Sequence, residues 1–206
     1  MKNVIIVDDH IMLREGLKAW LKANSDWRVS AEAGTAREFF SVLSDSGETG
    51  IDAVIVDVSV GKDNGFDIVC RTRSLYPALN CLIYSMYDSA GYVFNAFKAG
   101  AKGYVSKGAC EQELLAALNA VAAGQTYVQQ SLVPEMAVTA DLFSGMTKKE
   151  KEVLEQIRTG ADNKTIARNL GLSLRTVENY LSRIYDKLGI PDRSALLDKL
   201  GMQQTV

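Results

Sequence analysis

The chain has 206 residues, of which 47% are hydrophobic and 23% charged, with a formal net charge of −2. That length exceeds one typical domain and suits two modest ones, each able to bury a core without covalent support. Three cysteines, Cys70, Cys81 and Cys110, are odd in number and lack CxxC spacing, which argues against a disulfide framework or a thiolate metal site and reads them as reduced core thiols.

The amino terminus, MKNVIIVDDH, has only four apolar residues in a row before two aspartates, too few for a signal peptide or a membrane span. A cytoplasmic protein without a membrane partner is expected. Val4 to Val7 reads as a buried strand that delivers Asp8 and Asp9 to its carboxyl end, and His10 stands beside them as the only histidine. No Ser-His-Asp triad or histidine-rich metal site can be assembled from one imidazole. Ile11 to Ala23 has helical periodicity through Leu13, Leu17, Trp20 and Leu21, Trp27 to Ala33 is a strand, and Thr35 to Glu38 has the pattern of a capping box. Phe39, Phe40, Val42 and Leu43 supply that helix's inner face.

Ile51 to Asp57 (IDAVIVD) is a Val/Ile-rich run that stays uncharged from Ala53 until its last residue, the pattern of a parallel-sheet strand buried on both faces. Asp57 therefore stands where ligands gather in open α/β sheets. A loop, Val58 to Asn64, precedes a helix opened by Gly65 through Phe66, Ile68, Val69 and Leu75, which Pro77 ends. Cys81 to Tyr84 is a strand ending at Ser85, Asp88 caps a helix that runs to Ala99 and is closed by Gly100, Gly103 to Ser106 is a strand ending at Lys107, and Glu111 to Ala123 is a helix closed by Gly124. Five alternations of strand and helix predict a doubly wound five-stranded parallel sheet with helices on both faces.

Four strand ends thus carry Asp8 and Asp9, Asp57, Ser85 and Lys107. Carboxylates converging within several ångströms repel by roughly 4 kcal/mol per close pair at an effective dielectric near 20, so the ionised set needs a cation. An all-oxygen donor set suits Mg²⁺. Asp57 could then attack phosphorus as a carboxylate nucleophile, with Ser85 and Lys107 on the phosphoryl oxygens.

These residues, with Tyr104 and the opening VDDHIMLREGL, resemble the receiver domain of a bacterial response regulator of the NarL/FixJ type, with a flavodoxin-like fold. The resemblance implies that Asp57 accepts phosphate from a sensor histidine kinase. It further implies that Asp9 binds Mg²⁺ directly, Asp8 mainly through water and Ser59 through its backbone carbonyl, and that Tyr104 turns inward when Ser85 moves toward the phosphoryl group. Such a protein is not an enzyme in the ordinary sense, although it assists its own phosphorylation and dephosphorylation. Where the family carries Met-Pro after the phosphorylated aspartate, this chain has Val60-Gly61, a backbone that glycine frees and proline would fix.

Residues 1–124 form the expected receiver, 125–145 a linker with a short helical piece around 133–138, and 146–206 a smaller all-α domain. Residues 1–144 hold 12 Lys/Arg and 17 Asp/Glu, a balance of −5, and residues 145–206 hold 11 and 8, a balance of +3. A basic second part is compatible with nucleic acid. Thr147 to Glu150 is a second capping-box pattern ahead of Val153, Leu154 and Ile157, Asp162 can cap a short helix, and Ser173 can cap the next after a turn at Gly171. The last of these places Leu174, Val177, Leu181, Ile184 and Leu188 on one stripe and Arg175, Glu178, Asn179, Ser182, Arg183 and Lys187 opposite. Two helices joined this way form a helix-turn-helix able to enter a major groove.

The stretch from Met146 to Ile190 resembles the LuxR-type DNA-binding domain, through Asn163-Lys164, Ile166-Ala167, Thr176-Val177 and Lys187-Leu188-Gly189. The resemblance implies double-stranded operator DNA as ligand, base contacts from Glu178, Asn179 and Ser182, phosphate contacts from Lys164, Arg175 and Arg183, and further DNA contacts from Thr176 and Lys187. It also implies a final helix, Pro191 to Leu200, that pairs two such domains in an active homodimer, and RNA polymerase as a further candidate partner. Glu178 and Tyr180 stand where the family commonly has lysine and histidine, so the operator is not inferred from lysine-bearing relatives. Two other readings are an atypical, phosphorylation-independent DNA-binding regulator and an aspartate-nucleophile phosphohydrolase. The latter normally shows DxD, whereas Asp57 is followed by Val58-Ser59.

Overall fold

The computed structural model describes residues 1–134 and 145–202. They form two compact units, residues 1–88 with 95–131, and residues 89–94 with 132 onward.

In the first unit β1 (Lys2–Val7), β2 (Trp27–Ala33), β3 (Ala53–Val56), β6 (Cys81–Ser85) and β7 (Gly103–Ser106) are the five expected strands. They pair in parallel in the order β2-β1-β3-β6-β7. The helices α1 (Ile11–Asn24), α2 (Ala36–Ser46), α3 (Gly65–Leu75) and α5 (Glu111–Ala122) alternate with them along the chain, as does α4 (Ala90–Ala99), whose residues 95–99 belong to this unit. Side chains alternate across a pleated strand. Val4, Ile6, Ile55, Leu82 and Val105 accordingly join Leu21, Leu114, Leu118 and Val121 in one core on the α1 and α5 face. The intervening Ile5, Val7, Val54, Val56 and Ile83 are equally buried. Burying each such side chain contributes roughly 1.5–3 kcal/mol, and since both faces bury, no alternating pattern marks these strands.

Three local features depart from expectation. Tyr127–Val128, inside the segment expected as linker, adds a sixth strand, β8, beside β7. The buried Gln129 extends this attachment, its Oε1 accepting the Ser106 N–H at 2.7 Å. The loop after Asp57 is a small antiparallel hairpin of β4 (Ser59–Val60) and β5 (Asp63–Asn64), closed by Gly61 at φ +63°. A left-handed glycine first in a two-residue turn followed by an ordinary residue is the type II′ pattern. Gly61 therefore supplies a defined turn and not a loosened chain, and Val60 beside it is fully buried. At α2, Thr35 accepts the Glu38 N–H as expected, but Glu38 reaches back to Gly34 N–H at 2.7 Å, one residue earlier than a capping box requires.

Of the cysteines only Cys81 is a core thiol, its pKa pushed by burial up to about 12. Cys70 and Cys110 are exposed, since each takes the outward side of its helix or helix start, a difference that hydrophobicity alone does not encode. Leu75, expected inside, is likewise mostly exposed at the end of α3. Among the described residues, no helix is long and apolar enough to cross a membrane.

The second unit contains α6 (Lys148–Arg158), α7 (Asn163–Leu170), α8 (Leu174–Leu188) and α9 (Arg193–Lys199). Val153, Ile157, Ile166, Val177, Leu181, Ile184, Leu188, Leu196 and Leu200 make one core. Leu174, expected on the stripe, is 40% exposed, as the first residue of its helix lies beyond the reach of the facing helices. The helical piece expected around 133–138 lies largely outside the described residues. Thr147 and Glu150 form the full reciprocal capping box, and the buried Glu150 carboxylate also receives Lys187 Nζ at 2.7 Å. That hydrogen bond, with those from Thr147, outweighs burial and holds the Glu150 carboxyl below its ordinary 4.5.

A Glu150→Ala substitution removes the reciprocal half of the capping box and the carboxylate that Lys187 pairs with, so it is expected to destabilise the second unit by about 1–3 kcal/mol. Because the folded-state pKa is depressed, this contribution is complete above the ordinary carboxylate range and disappears as pH falls through the lowered value. Thermal melts of wild type and variant should differ at pH 7 and converge on acidification below pH 4.5.

Candidate functional site

The chain enters the sheet at β1, turns outward to β2, then crosses back to β3 on the other side, so the strand order reverses between β1 and β3. Such a switch point opens a crevice at the carboxyl ends of the strands. Val7 pairs with Val56, and the next residue of each strand is an aspartate. Asp8 N–H donates to Ala33 O at 3.0 Å and Asp57 N–H to Val7 O at 2.9 Å, so ladder-like bonds hold both backbones beyond the strand ends.

Lys107 joins them. Its ammonium lies 2.7 Å from Asp8 Oδ2 and 2.8 Å from Asp57 Oδ2, with all three side chains no more than 5% exposed. Burial pulls the Lys107 ammonium toward deprotonation, but hydrogen bonds and charge from Asp57 and Asp8 outweigh it, and its pKa lies above the ordinary 10.5. The other oxygen of Asp57 accepts the Val58 N–H at 2.7 Å. Asp8 Oδ1 accepts the His10 N–H at 2.8 Å and lies 3.0 Å from His10 Nδ1, which is 3.1 Å from Asp9 Oδ1. Ligand atoms of Asp8, Asp9, His10 and Asp57 all fall within 4.8 Å of one another. Three carboxylates against one ammonium leave a formal charge of −2, which one divalent cation neutralises; hard oxygen donors suit such an ion.

The remaining expected residues surround this cluster. Ser85 is fully buried at the end of β6, its hydroxyl 3.4 Å from Tyr87 N and its carbonyl accepting the Lys107 N–H at 2.7 Å. Tyr104 is also fully buried, with its hydroxyl donating to Tyr87 O at 2.6 Å. Ser59 opens the hairpin two residues beyond Asp57, and the hairpin's turn lies beside Asp9, a Cβ at Gly61 standing 4.0 Å from Asp9 Oδ2.

Three residues that frame the site carry no assignment from sequence. Arg14 donates to Asp8 O at 2.5 Å and pairs with Glu32 at 3.3 Å, pinning β1's end from α1. Asp63 accepts the Ala36 N–H at 2.8 Å, tying the hairpin to the start of α2. Gly65 lies so close to Asp57 that a Cβ there would stand 1.9 Å from the Asp57 carbonyl oxygen. The only sequence signal for Gly65 is a glycine at the first position of a helix, where a cap residue, Asn64, already supplies the start.

In the second unit, α7 and α8 meet across a turn in which Gly171 adopts the left-handed conformation at φ 64°. Arg175, Glu178, Asn179, Ser182 and Arg183 project from the exposed face of α8, and Lys164 is exposed on α7. Thr176 is half-buried, its hydroxyl 2.8 Å from that of Ser173 in the helix cap. Lys187, also expected to contact DNA, is exposed on α8, and its ammonium lies 2.7 Å from Glu150 Oε2.

Residues 4–119 match the response regulator receiver domain family, and residues 144–200 match the bacterial regulatory proteins of the luxR family. The oxygen regulatory protein NreC of Staphylococcus aureus is 31% identical over 95% of both chains. The chain belongs to the LuxR-family response regulators. A LuxR-family two-component response regulator from Aurantimonas sp. SI85-9A1 is 30% identical, with TM-score 0.61 over 66% of this regulator and 94% of that chain. RcsB in a structure of two dimers bound to two parallel DNAs shares the fold, with TM-score 0.76 at 23% identity over 98% and 99% of the two chains. This regulator is thus a receiver joined to a helix-turn-helix domain, a regulator of transcription and not an enzyme of the ordinary kind.

Gly65→Ala should be the most damaging one-carbon change near the site. Backbone has to move to admit the methyl, so a loss of about 1–3 kcal/mol is expected in urea unfolding.

Proposed function

We propose that this regulator is switched by Mg²⁺-dependent phosphorylation of Asp57 from a sensor histidine kinase, and that the phosphorylated form binds operator DNA as a homodimer. The observation that carries this reading is the buried Asp8–Lys107–Asp57 bridge, which holds an ionised carboxylate at a strand end beside spare negative charge. An Asp57 oxygen attacks phosphorus of the phosphohistidine, the P–N bond breaks, and the nitrogen keeps its electron pair as the aspartyl phosphate forms. Asp9, Asp57 and the Ser59 carbonyl are suited to hold Mg²⁺ directly and Asp8 through water. The ion would supply charge neutralisation at the phosphoryl oxygens. Lys107 transfers one of its hydrogen bonds from the carboxylate to a phosphoryl oxygen, and Ser85 donates its hydroxyl to another. In this way the chain assists its own phosphorylation and dephosphorylation without turning over as an enzyme. Movement of Ser85 would stabilise the inward position that Tyr104 already occupies, buried and hydrogen-bonded to Tyr87 O, and a few kcal/mol of preference for the active state suffices to shift the population.

On this reading residues 1–124 are the receiver, 125–145 the linker and 146–206 the DNA-binding domain, acting in the cytoplasm, with RNA polymerase a further candidate partner. Glu178, Asn179 and Ser182 face base edges while Lys164, Arg175 and Arg183 face phosphates, with Thr176 supporting the helix start. A second reading, regulation without phosphorylation, is favoured by one observation: Tyr104 is already buried and hydrogen-bonded to Tyr87.

Intact-mass measurement after incubation with Mg²⁺ and acetyl phosphate separates the two. One phosphoryl adduct is expected in wild type and none in Asp57→Ala, with size-exclusion chromatography showing monomer converted to dimer only in the former. Absence of an adduct, with DNA still bound by a dimer, supports the second reading. On DNA, Asn179→Ala should cost about 1–3 kcal/mol at a subset of base positions, whereas Arg175→Ala should weaken all sequences alike and reduce the salt slope by about 1.

A further inference from the structure

We infer that His10 is a nitrogen ligand of the cation site, one that enters the coordination shell of borderline divalent ions such as Co²⁺, Ni²⁺ or Zn²⁺ and stays outside that of Mg²⁺. The inference rests on the reading of Asp8, Asp9 and Asp57 as the cation's carboxylates.

His10 occupies the N-cap of α1 yet makes no side-chain cap hydrogen bond. Thr35, Asn64, Thr147, Asp162, Ser173 and Asp192 each accept a first-turn N–H at their own helices, and among the described caps with an assigned bond pattern only Cys110 shares the omission. Ser, Thr, Asp and Asn are favoured there because a short side chain can reach back, so a non-capping imidazole breaks a local rule without local gain. Its ring turns to the carboxylates instead, Nδ1 lying 3.0 Å from Asp8 Oδ1 and 3.1 Å from Asp9 Oδ1. The His10 backbone N–H fixes the same Asp8 oxygen at 2.8 Å, so residue and cluster are held together by main chain as well as side chain. With its side chain 67% exposed, the imidazole can shift toward an ion without opening a cavity.

The chemical consequence follows from ligand preference. Mg²⁺ keeps oxygen donors and water, whereas imidazole binds first-row transition ions in the order Mn²⁺ < Co²⁺ < Ni²⁺, with Zn²⁺ also well served. Asp8, Asp9 and Asp57 alone favour the hard ion; adding Nδ1 tilts the site toward the borderline ones. The identity of the divalent ion at this receiver thereby depends on one side chain outside the carboxylate set.

The test uses the full-length, tag-free chain at one fixed pH, with calorimetric titration of Mg²⁺ and of Co²⁺ into wild type, His10→Ala and His10→Gln. Removing a ligand is expected to weaken Co²⁺ by about tenfold or more in both variants and to leave Mg²⁺ within about twofold, in keeping with that ion's oxygen preference. Equal weakening of both ions, or undiminished Co²⁺ binding in the folded variants, overturns the role of His10. If wild type binds neither ion, the carboxylate cation site itself falls, and this inference with it.

Discussion

Lys107 bridges two carboxylates that come from the neighbouring strands β1 and β3, and the first unit is arranged to make that contact possible. Two buried anions within reach of one another are unstable in a low-dielectric interior, and a single ammonium that bonds both is the smallest remedy. The remedy is incomplete once Asp9 is included. The residual negative charge leaves the cluster able to take a divalent ion, and the Lys107 ammonium is shared between two carboxylates.

Backbone contacts make the bridge reproducible. Asp57 is held from behind by its own N–H on Val7, from the side by Val58 N–H on its carboxylate, and from below by Gly65, where helix and strand approach too closely for any side chain. The hairpin over the site is fastened in turn by Asp63 to α2 and by buried Val60 to the core. Replacement of the family's Met-Pro by Val60-Gly61 therefore exchanges one rigid device for another, a fixed φ at proline for a hydrogen-bonded turn.

Much of this was legible in the residues because the signals are local. Uncharged runs ending in Asp8, Asp57, Ser85 and Lys107 marked four strand ends, and Thr147, Asp162 and Ser173 marked three helix starts, all of which the structure contains. What stayed hidden depends on contacts far apart in sequence. A two-residue strand such as Tyr127–Val128 has no periodicity to read and exists only because β7 offers an open edge. The exposure of Cys70 and Cys110, and the capture of Lys187 by Glu150, are set by which face of one helix meets another. Gly65 could be seen as a helix opener, but the Asp57 backbone against it could not.

The sixth strand bears on how such a molecule transmits a change. Gln129 N–H donates to Tyr104 O at 3.1 Å, and Gln129 Oε1 accepts from Ser106 N–H, so the chain leaving α5 is bonded to the same strand that carries the buried aromatic and leads into Lys107. Parallel pairing is continuous from β1, which ends at Val7 just before Asp8, to β8. A packed sheet is stiff, and displacement of one strand end is passed to its hydrogen-bonded neighbour more readily than it is absorbed. Tyr104 sits on β7 and Lys107 directly follows it, so this strand is hydrogen-bonded to the departing chain at Gln129 and leads straight into the acidic cluster.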